Sequence, residues 1–385
     1  MKRASRILVV DDEPGMLRAV ERVLGGVHQV IGSPSSARAV AVAAEFDPDL
    51  VILDIRMPEM DGFELMARLH SEHPDLDTIL MTGSIDELDQ KLIRAIRGRA
   101  FYFIQKPFDR EVLLALVDRC LELRGRREES RQHARRLEKE LADARAFQQG
   151  LLPARDTVTG RLAICCRYVP CSELGGDLYD YASTRSGRTA LIVADVMGHG
   201  VSAAMLTGVV KSAFRACDVD DYEPAAVVRR VRGHLSAFGH ERFVTLIAAV
   251  LAADERRLHY VNAGHPAGLL WSADGTVCRL EGTGPLVSPA LSSCTWEQKC
   301  LAMGPGDQLL LYTDGISDTL GGEHDTGEDL IVASIRKHRE GGVSLLDALL
   351  SHVRARLAGR PQTDDLTLLA AKVLVGHDDP GVSVR

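Results

Sequence analysis

Four acidic motifs in the second half of the chain hold the residues best suited to chemistry. They are Leu174-Gly-Gly-Asp177, Ala194-Asp195-Val-Met-Gly-His-Gly200, Tyr312-Thr-Asp314-Gly315 and Thr363-Asp364-Asp365-Leu-Thr367. Each acid ends an apolar run or abuts a glycine turn. A glycine beside a carboxylate lets the backbone approach closely, which suits a metal site using side-chain oxygens together with a peptide carbonyl. A site rich in acids and free of thiolates favours Mg²⁺ or Mn²⁺ over zinc. Two such ions bridged by Asp195 would lower the pKa of a shared water, giving a hydroxide that attacks a phosphoryl group in line without a protein nucleophile. A single Asp-Gly is ordinarily a turn, and Asp307 in Gly304-Pro-Gly-Asp307 is read as one. The combination of four motifs is what points to metal-assisted hydrolysis.

A second acidic set lies near the start. Asp11 and Asp12 follow the apolar run Ile7 to Val10, Asp54 follows Leu50 to Leu53, and Lys106 follows Phe101 to Ile104. In a doubly wound sheet such strand ends converge. Clustered carboxylates repel one another unless a cation sits among them, so a hard ion such as Mg²⁺ is the natural occupant. The lysine opposite would balance an incoming phosphoryl group.

The elements that position these residues follow from periodicity. Over the first 120 residues, short apolar runs, Thr78 to Met81 among them, alternate with helical stretches at Met16 to Leu24 and Gly62 to Glu72, and Glu111 to Leu123 follows the last run. That alternation predicts a doubly wound α/β domain with a parallel sheet. After Pro153 the texture changes to β-rich runs (Thr189 to Val193, Val244 to Leu251, Arg257 to Asn262, Gln308 to Thr313) with helical stretches at Val201 to Cys217, Pro224 to Phe238 and Leu345 to Leu357. This predicts a separate mixed α/β domain. The expected boundaries are 1–122 for the first domain, 123–152 for a linker, 153–375 for the second domain and 376–385 for a tail.

The linker is charged and free of proline until Pro153, which predicts one long helix. A mostly apolar stripe runs along it in steps of four and three, from Leu116 and Cys120 through Leu123, Arg127, Ser130, Ala134, Leu137, Leu141, Ala144 and Gln148 to Leu151. Such a stripe fits a parallel homodimeric coiled coil, and its polar middle also fits a single solvated helix.

Composition bounds the remaining possibilities. With 385 residues, 45% of them hydrophobic and 26% charged, the chain reads as two or three ordinary globular domains. A formal net charge of −8 argues against nonspecific nucleic-acid binding, and no basic helix-turn-helix segment follows the first domain. No apolar run is long enough to span a membrane, and the opening MKRASRILVV runs into Asp11 rather than a cleavage site, so a cytoplasmic location is expected. The eight cysteines include no CxxC pair and read as reduced structural thiols. No repeat of fixed period is evident.

The segments VVDDE, LDIRMPEMDGFEL, MTG and IQKPF resemble the receiver domain of bacterial two-component response regulators over about residues 5 to 122. The resemblance implies that Asp54 accepts phosphate from an upstream histidine kinase. It implies one Mg²⁺ held by Asp11, Asp12, Asp54 and the Arg56 carbonyl. Thr82 and Lys106 would contact the phosphoryl oxygens, and Phe103 would be the rotating aromatic. Gly98-Arg99-Ala100 departs from the Gly-Ala pair common before the fifth strand of such receivers.

The segments LGGDLYDY, VADVMGHG, VNAGHP, YTDGI and TDDLTLL look like the PPM phosphatase family in its SpoIIE/RsbU-like branch, over roughly residues 153 to 374. This resemblance implies an α-β-β-α sandwich with protein serine/threonine phosphatase activity. It places Asp177, Asp195, Asp314 and Asp364, with the Val196 carbonyl, around two Mn²⁺ or Mg²⁺ ions. The linker's FQQGLLP resembles the segment that joins a sensory module to such a domain, so phosphorylation of Asp54 would be relayed along the helix. The implied substrate is the serine-phosphorylated form of an anti-sigma-factor antagonist. His199 has a suitable pKa for a general acid but is read first as a loop residue, and the source of the leaving-group proton stays open. His265 is read as shaping a turn, and Thr367 as a hydrogen-bond donor to the acidic loop. The competing reading is a catalytically silent PPM-fold scaffold that sequesters a regulatory partner under receiver control. The complete acidic set counts against it.

Overall fold

The computed structural model describes residues 4–83, 102–198, 200–252, 256–272, 274–322 and 326–375. His199, the Gly98-Arg99-Ala100 segment, the first residue of the run Phe101 to Ile104, and the expected tail lie outside the described residues. The chain divides into two compact units, Met1–Leu137 and Glu138–Arg385.

The first unit is a parallel sheet of β1 (Arg6–Val10), β2 (Gln29–Ser33), β3 (Leu50–Asp54), β4 (Asp77–Thr82) and β5 (Tyr102–Gln105), in the order β2-β1-β3-β4-β5. Among the described residues, α1 (Pro14–Leu24), α2 (Ser36–Phe46) and α3 (Gly62–Glu72) connect β1 through β4. β3 is buried at every position because side chains from its two faces enter two different cores. Local signals start the helices: Pro14 occupies a first-turn position, and the Asp61 carboxylate accepts from the Glu64 backbone N–H at 2.8 Å. The register aligns Val10 with Leu53, Asp54 with Met81 and Thr82 with Gln105. The carboxyl ends of these strands therefore lie side by side.

α4 (Arg110–Leu151) is one helix of 42 residues, about 63 Å long at 1.5 Å per residue. Its first turns bury Leu113, Val117 and Cys120 in the core of the first unit. Arg127 Nη2 then donates to both Asp77 carboxylate oxygens at 2.9 Å. Residues 125–140 are exposed throughout, whereas Gln148 is buried within the second unit. Cys120, Arg127 and Gln148 are engaged within the chain, and only the stretch around Ala134 and Leu137 presents the stripe to solvent.

The second unit stacks two antiparallel sheets. One contains β8 (Asp177–Ser183), β9 (Thr189–Val196), β10 (Val244–Ala252), β11 (Arg257–Ala263) and β14 (Lys299–Ala302), in the order β14-β11-β10-β9-β8. The other contains β6 (Asp156–Thr159), β7 (Leu162–Val169), β12 (Gly268–Trp271), β13 (Val277–Leu280), β15 (Gln308–Tyr312) and β16 (Leu366–Val373), in the order β13-β12-β15-β16-β7-β6. Along β9, Leu191 and Val193 face the other sheet, while Ala190, Ile192 and Ala194 pack under α5 (Val201–Arg215) and α6 (Pro224–Leu235). The far face of the second sheet packs against α7 (Asp314–Leu320), α8 (Gly327–Lys337) and α9 (Gly342–Leu357). The result is the expected α-β-β-α sandwich. Strands covered on both faces read as near-continuous apolar runs, which is why β9 and β10 were legible as elements.

Candidate functional site

In the first unit, Asp11 is fully buried, Asp54 nearly so, and Asp12 exposed. One carboxylate oxygen from each lies within 4.8 Å of the others, and this is the only such trio of potential metal ligands among the described residues. Lys106 closes the site, its Nζ 2.6 Å from Asp11 Oδ2 and 3.1 Å from Asp54 Oδ1. Burial, with Asp11 and Asp12 adding to it, pushes the Asp54 carboxyl above its ordinary range, although the Lys106 ammonium pulls the other way. The donor set is oxygen alone, which fits Mg²⁺. Gly62 is needed here for space, because a Cβ would overlap the Asp54 carbonyl. The Thr82 carbonyl accepts from the Lys106 backbone N–H at 2.7 Å, which ties the ends of β4 and β5 together. Phe103 packs partly buried against the core under α2 and α3, and Arg56 follows β3 two residues beyond Asp54.

In the second unit, Asp177 and Asp195 are Cα partners on the neighbouring strands β8 and β9. Directly opposed like charges destabilise a sheet unless something neutralises them. Asp177 is buried, and its Oδ2 accepts from the Thr313 hydroxyl at 2.7 Å and the Thr367 hydroxyl at 2.6 Å. The donor expected at Thr367 is therefore present, with Asp177 as its acceptor. Burial, Asp195 and Asp365 nevertheless hold the Asp177 carboxyl well above the ordinary range. Asp195 is pushed up to about 7 by burial and by Asp314, Asp364 and Asp365. Asp314, the first residue of α7, is raised by burial, Asp364 and Asp318. No ion pair neutralises Asp177, Asp195 or Asp314 among the described residues, in contrast to buried Asp180, which binds Lys211 and Arg215 at 2.6 Å each.

Asp365 is a residue the sequence reading missed. It is buried, and its Oδ1 accepts from the Cys171 N–H at 2.8 Å while Oδ2 accepts from the Gly176 N–H at 2.5 Å. It thus pins the backbone that presents Asp177, whereas Asp364 beside it stays exposed. The glycines are steric necessities. A Cβ at Gly175 would overlap the Tyr168 hydroxyl and Asp365, one at Gly176 would meet the Val196 and Gly198 carbonyls, and one at Gly315 would overlap the Asp365 carbonyl.

Gln148, on the last turns of α4, completes the support. Its Nε2 donates to the Gly175 carbonyl at 2.7 Å, and its Oε1 accepts from the Gly175 N–H at 3.2 Å. Replacing Gln148 with Leu leaves both buried peptide groups without partners. The expected cost is about 1–3 kcal/mol, read as a lower unfolding midpoint of the second unit in denaturant. An unchanged midpoint would show that the pair contributes nothing.

His265 fits the turn reading. It is buried, its Nδ1 lies 2.8 Å from the Thr245 hydroxyl, and its N–H donates to Asn262 Oδ1 at 2.9 Å. Burial lowers its pKa to about 3, so the ring stays neutral.

The acids of the second unit suit hard divalent cations, because Asp177, Asp195 and Asp314 are carboxylates that no described cationic side chain neutralises. No three acids of this unit close to within 4.8 Å among the described residues as the first trio does. A cation there would complete its shell with water and backbone carbonyls, of which that of Val196 lies against Gly176.

Two family models match the chain: the response regulator receiver domain over residues 7–118, and Stage II sporulation protein E (SpoIIE) over residues 185–374. The chain is 32% identical over 185 residues to phosphoserine phosphatase RsbP of Bacillus subtilis (strain 168), covering 47% of this chain and 45% of that one. It is 31% identical over 221 residues to the C4-dicarboxylate transport transcriptional regulatory protein DctD of Pseudomonas aeruginosa, covering 54% and 47%. It therefore spans less than half the length of these relatives. Among solved structures, the SiaA-PP2C domain of Pseudomonas aeruginosa superposes with a TM-score of 0.55 at 22% identity, covering 62% of this chain and 98% of that one, which shows the fold. No helix among the described residues is long and apolar enough to cross a membrane.

Proposed function

Because the chain joins a receiver domain of the response regulator family to a domain of the SpoIIE family, we propose that it is a response regulator whose output is protein serine/threonine phosphatase activity. The observation that carries this reading is the gathering of Asp177, Asp195, Asp314 and Asp364 from distant segments, with Asp195 raised to about 7 by burial and by its acidic neighbours. A fold that keeps such mutual repulsion has a use for bound cations.

Asp177, Asp195, Asp314, Asp364 and the Val196 carbonyl would hold two Mn²⁺ or Mg²⁺ ions. Bound there, the ions would supply neutralisation of the phosphoryl charge and a more acidic attacking water. Asp195 must be ionised to take part, so proton loss accompanies loading. Asp177, with Oδ2 fixed by two hydroxyls, presents its other oxygen in a set direction. Asp365 and Gln148 hold the Gly175–Gly176 backbone on which that direction depends.

In the receiver, Asp54 would accept the phosphoryl group of an upstream histidine kinase, with one Mg²⁺ among Asp11, Asp12, Asp54 and the Arg56 carbonyl. Thr82 and Lys106 would meet the phosphoryl oxygens, and Phe103 would respond. α4 would carry that response, and its exposed middle around Leu137 is the part left for pairing with a second copy. The substrate suggested by the family resemblance is the serine-phosphorylated form of an anti-sigma-factor antagonist.

The purified chain with Mn²⁺ is expected to release phosphate from a phosphoserine protein, at a rate that changes when beryllofluoride mimics phosphorylated Asp54. Absence of release with Mn²⁺ or Mg²⁺, with and without beryllofluoride, would refute the phosphatase reading.

A further inference from the structure

Beside the acidic centre runs a groove of about 1050 Å³ lined by Gly315, Asp364, Asp318, Arg356 and Arg360 among others. It meets the centre through Gly315 and Asp364, while Asp177, Asp195 and Asp314 do not line it. An occupant of this groove is therefore what adjoins a reacting group, not the reacting group itself.

We propose that the groove seats the residues next to the substrate phosphoserine and that Arg356 and Arg360 select acidic side chains there, an assignment that rests on the phosphatase reading above. Arg356 lies in the last turn of α9, and the left-handed Ala358 (φ 46°) and Gly359 (φ 83°) turn the chain so that Arg360 returns to the same groove. Both are exposed. Several arginines of this unit close on carboxylates, as Arg215 does on Asp180 and Arg185 on Asp218. Arg356 and Arg360 instead contact carbonyl oxygens among the described residues: Gly321 O at 3.4 Å for Arg356, and Leu357 O at 3.3 Å and Arg356 O at 3.1 Å for Arg360. Those contacts leave donors on each guanidinium facing the groove, in the fork geometry that matches carboxylates. They also offset the repulsion that an acidic substrate segment would meet in a chain of net charge −8.

The test uses the full chain with Mn²⁺ and three phosphoserine peptides that differ only in flanking side chains, Asp/Glu, Asn/Gln or Lys/Arg. The readout is the ratio of kcat/KM between peptides, so any general loss of activity in a variant cancels. Wild type is expected to favour the acidic over the basic peptide about tenfold, mostly through KM, since exposed ion pairs to two arginines are individually weak. The preference should shrink at high salt. The double variant Arg356→Glu/Arg360→Glu should invert the order. Turnover of all three peptides at equal kcat/KM, or an unchanged order in the double variant, overturns the groove assignment and leaves the phosphatase reading standing. Turnover of none by wild type overturns that reading and the groove with it.

Discussion

Asp195→Asn is expected to reduce phosphate release by about a thousandfold or more, because on the proposed reading its carboxylate would hold the cations that contribute several kcal/mol to stabilising the transition state. The same change should make the cation-free protein more stable. In the folded chain Asp195 titrates near 7 rather than 3.8, so the folded state binds the extra proton across that interval and its stability falls as pH rises from about 4 to 7. Above pH 7 the full penalty applies, on the order of 4 kcal/mol. Asn resembles the protonated acid and does not titrate, so the variant should lack this loss. Mn²⁺ favours the ionised carboxylate, so its stabilisation of wild type should grow with pH and be much smaller for the variant. Thermal melts at pH 5 and pH 8, with and without Mn²⁺, read all of this beside the activity assay. A variant that still turns over, or that melts lower than wild type without cation at pH 8, would show that Asp195 belongs to no metal centre.

The sequence made the fold class and the acids legible for the same reason, since buried strands write themselves as apolar runs and a polar residue ending such a run stands out. β3 and β9 are clear cases. β2 escaped because Gln29-Val-Ile-Gly-Ser33 lies at a sheet edge, half exposed, with no apolar run to mark it. α2, rich in alanine, likewise carried little contrast. Asp365 was hidden beside Asp364, because adjacency in sequence does not tell which of two carboxylates turns inward to collect backbone N–H groups. The one available signal was Asp-Asp ahead of an apolar strand, which demands that one acid be satisfied internally. The α4 stripe is ambiguous in sequence because apolar residues at steps of three and four look the same whether they face a second helix or the chain's own core. Gln148 reads in sequence as a polar interruption of that stripe, whereas its amide is the group that reaches the Gly175 peptide.

Asp54→Asn is expected to eliminate phosphorylation of the chain by a small phosphodonor such as acetyl phosphate with Mg²⁺, read as loss of the mass of one phosphoryl group. Asp54 is suited to the role by its placement, with an oxygen 3.1 Å from Lys106 Nζ and the Asp11 and Asp12 carboxylates close enough to share a cation. The amide removes both the nucleophilic oxygen and one of the three cation-facing charges, so no residual transfer to this position can occur. Lys106→Met separates the two ends of the site, since it leaves the three acids in place and removes only the ammonium that neutralises the incoming group. It should therefore retain Mg²⁺ binding by calorimetry while phosphorylating more slowly, by about tenfold or more for the loss of a charge-assisted contact. Phosphatase rate in the Asp54→Asn chain should no longer respond to beryllofluoride, because that mimic needs the same carboxylate oxygen. A response that survives the substitution would mean that control enters elsewhere, and a phosphoryl mass that survives it would move the acceptor to another acid. The two readouts fail separately, so the switch and its coupling to the second unit can each be refuted without the other.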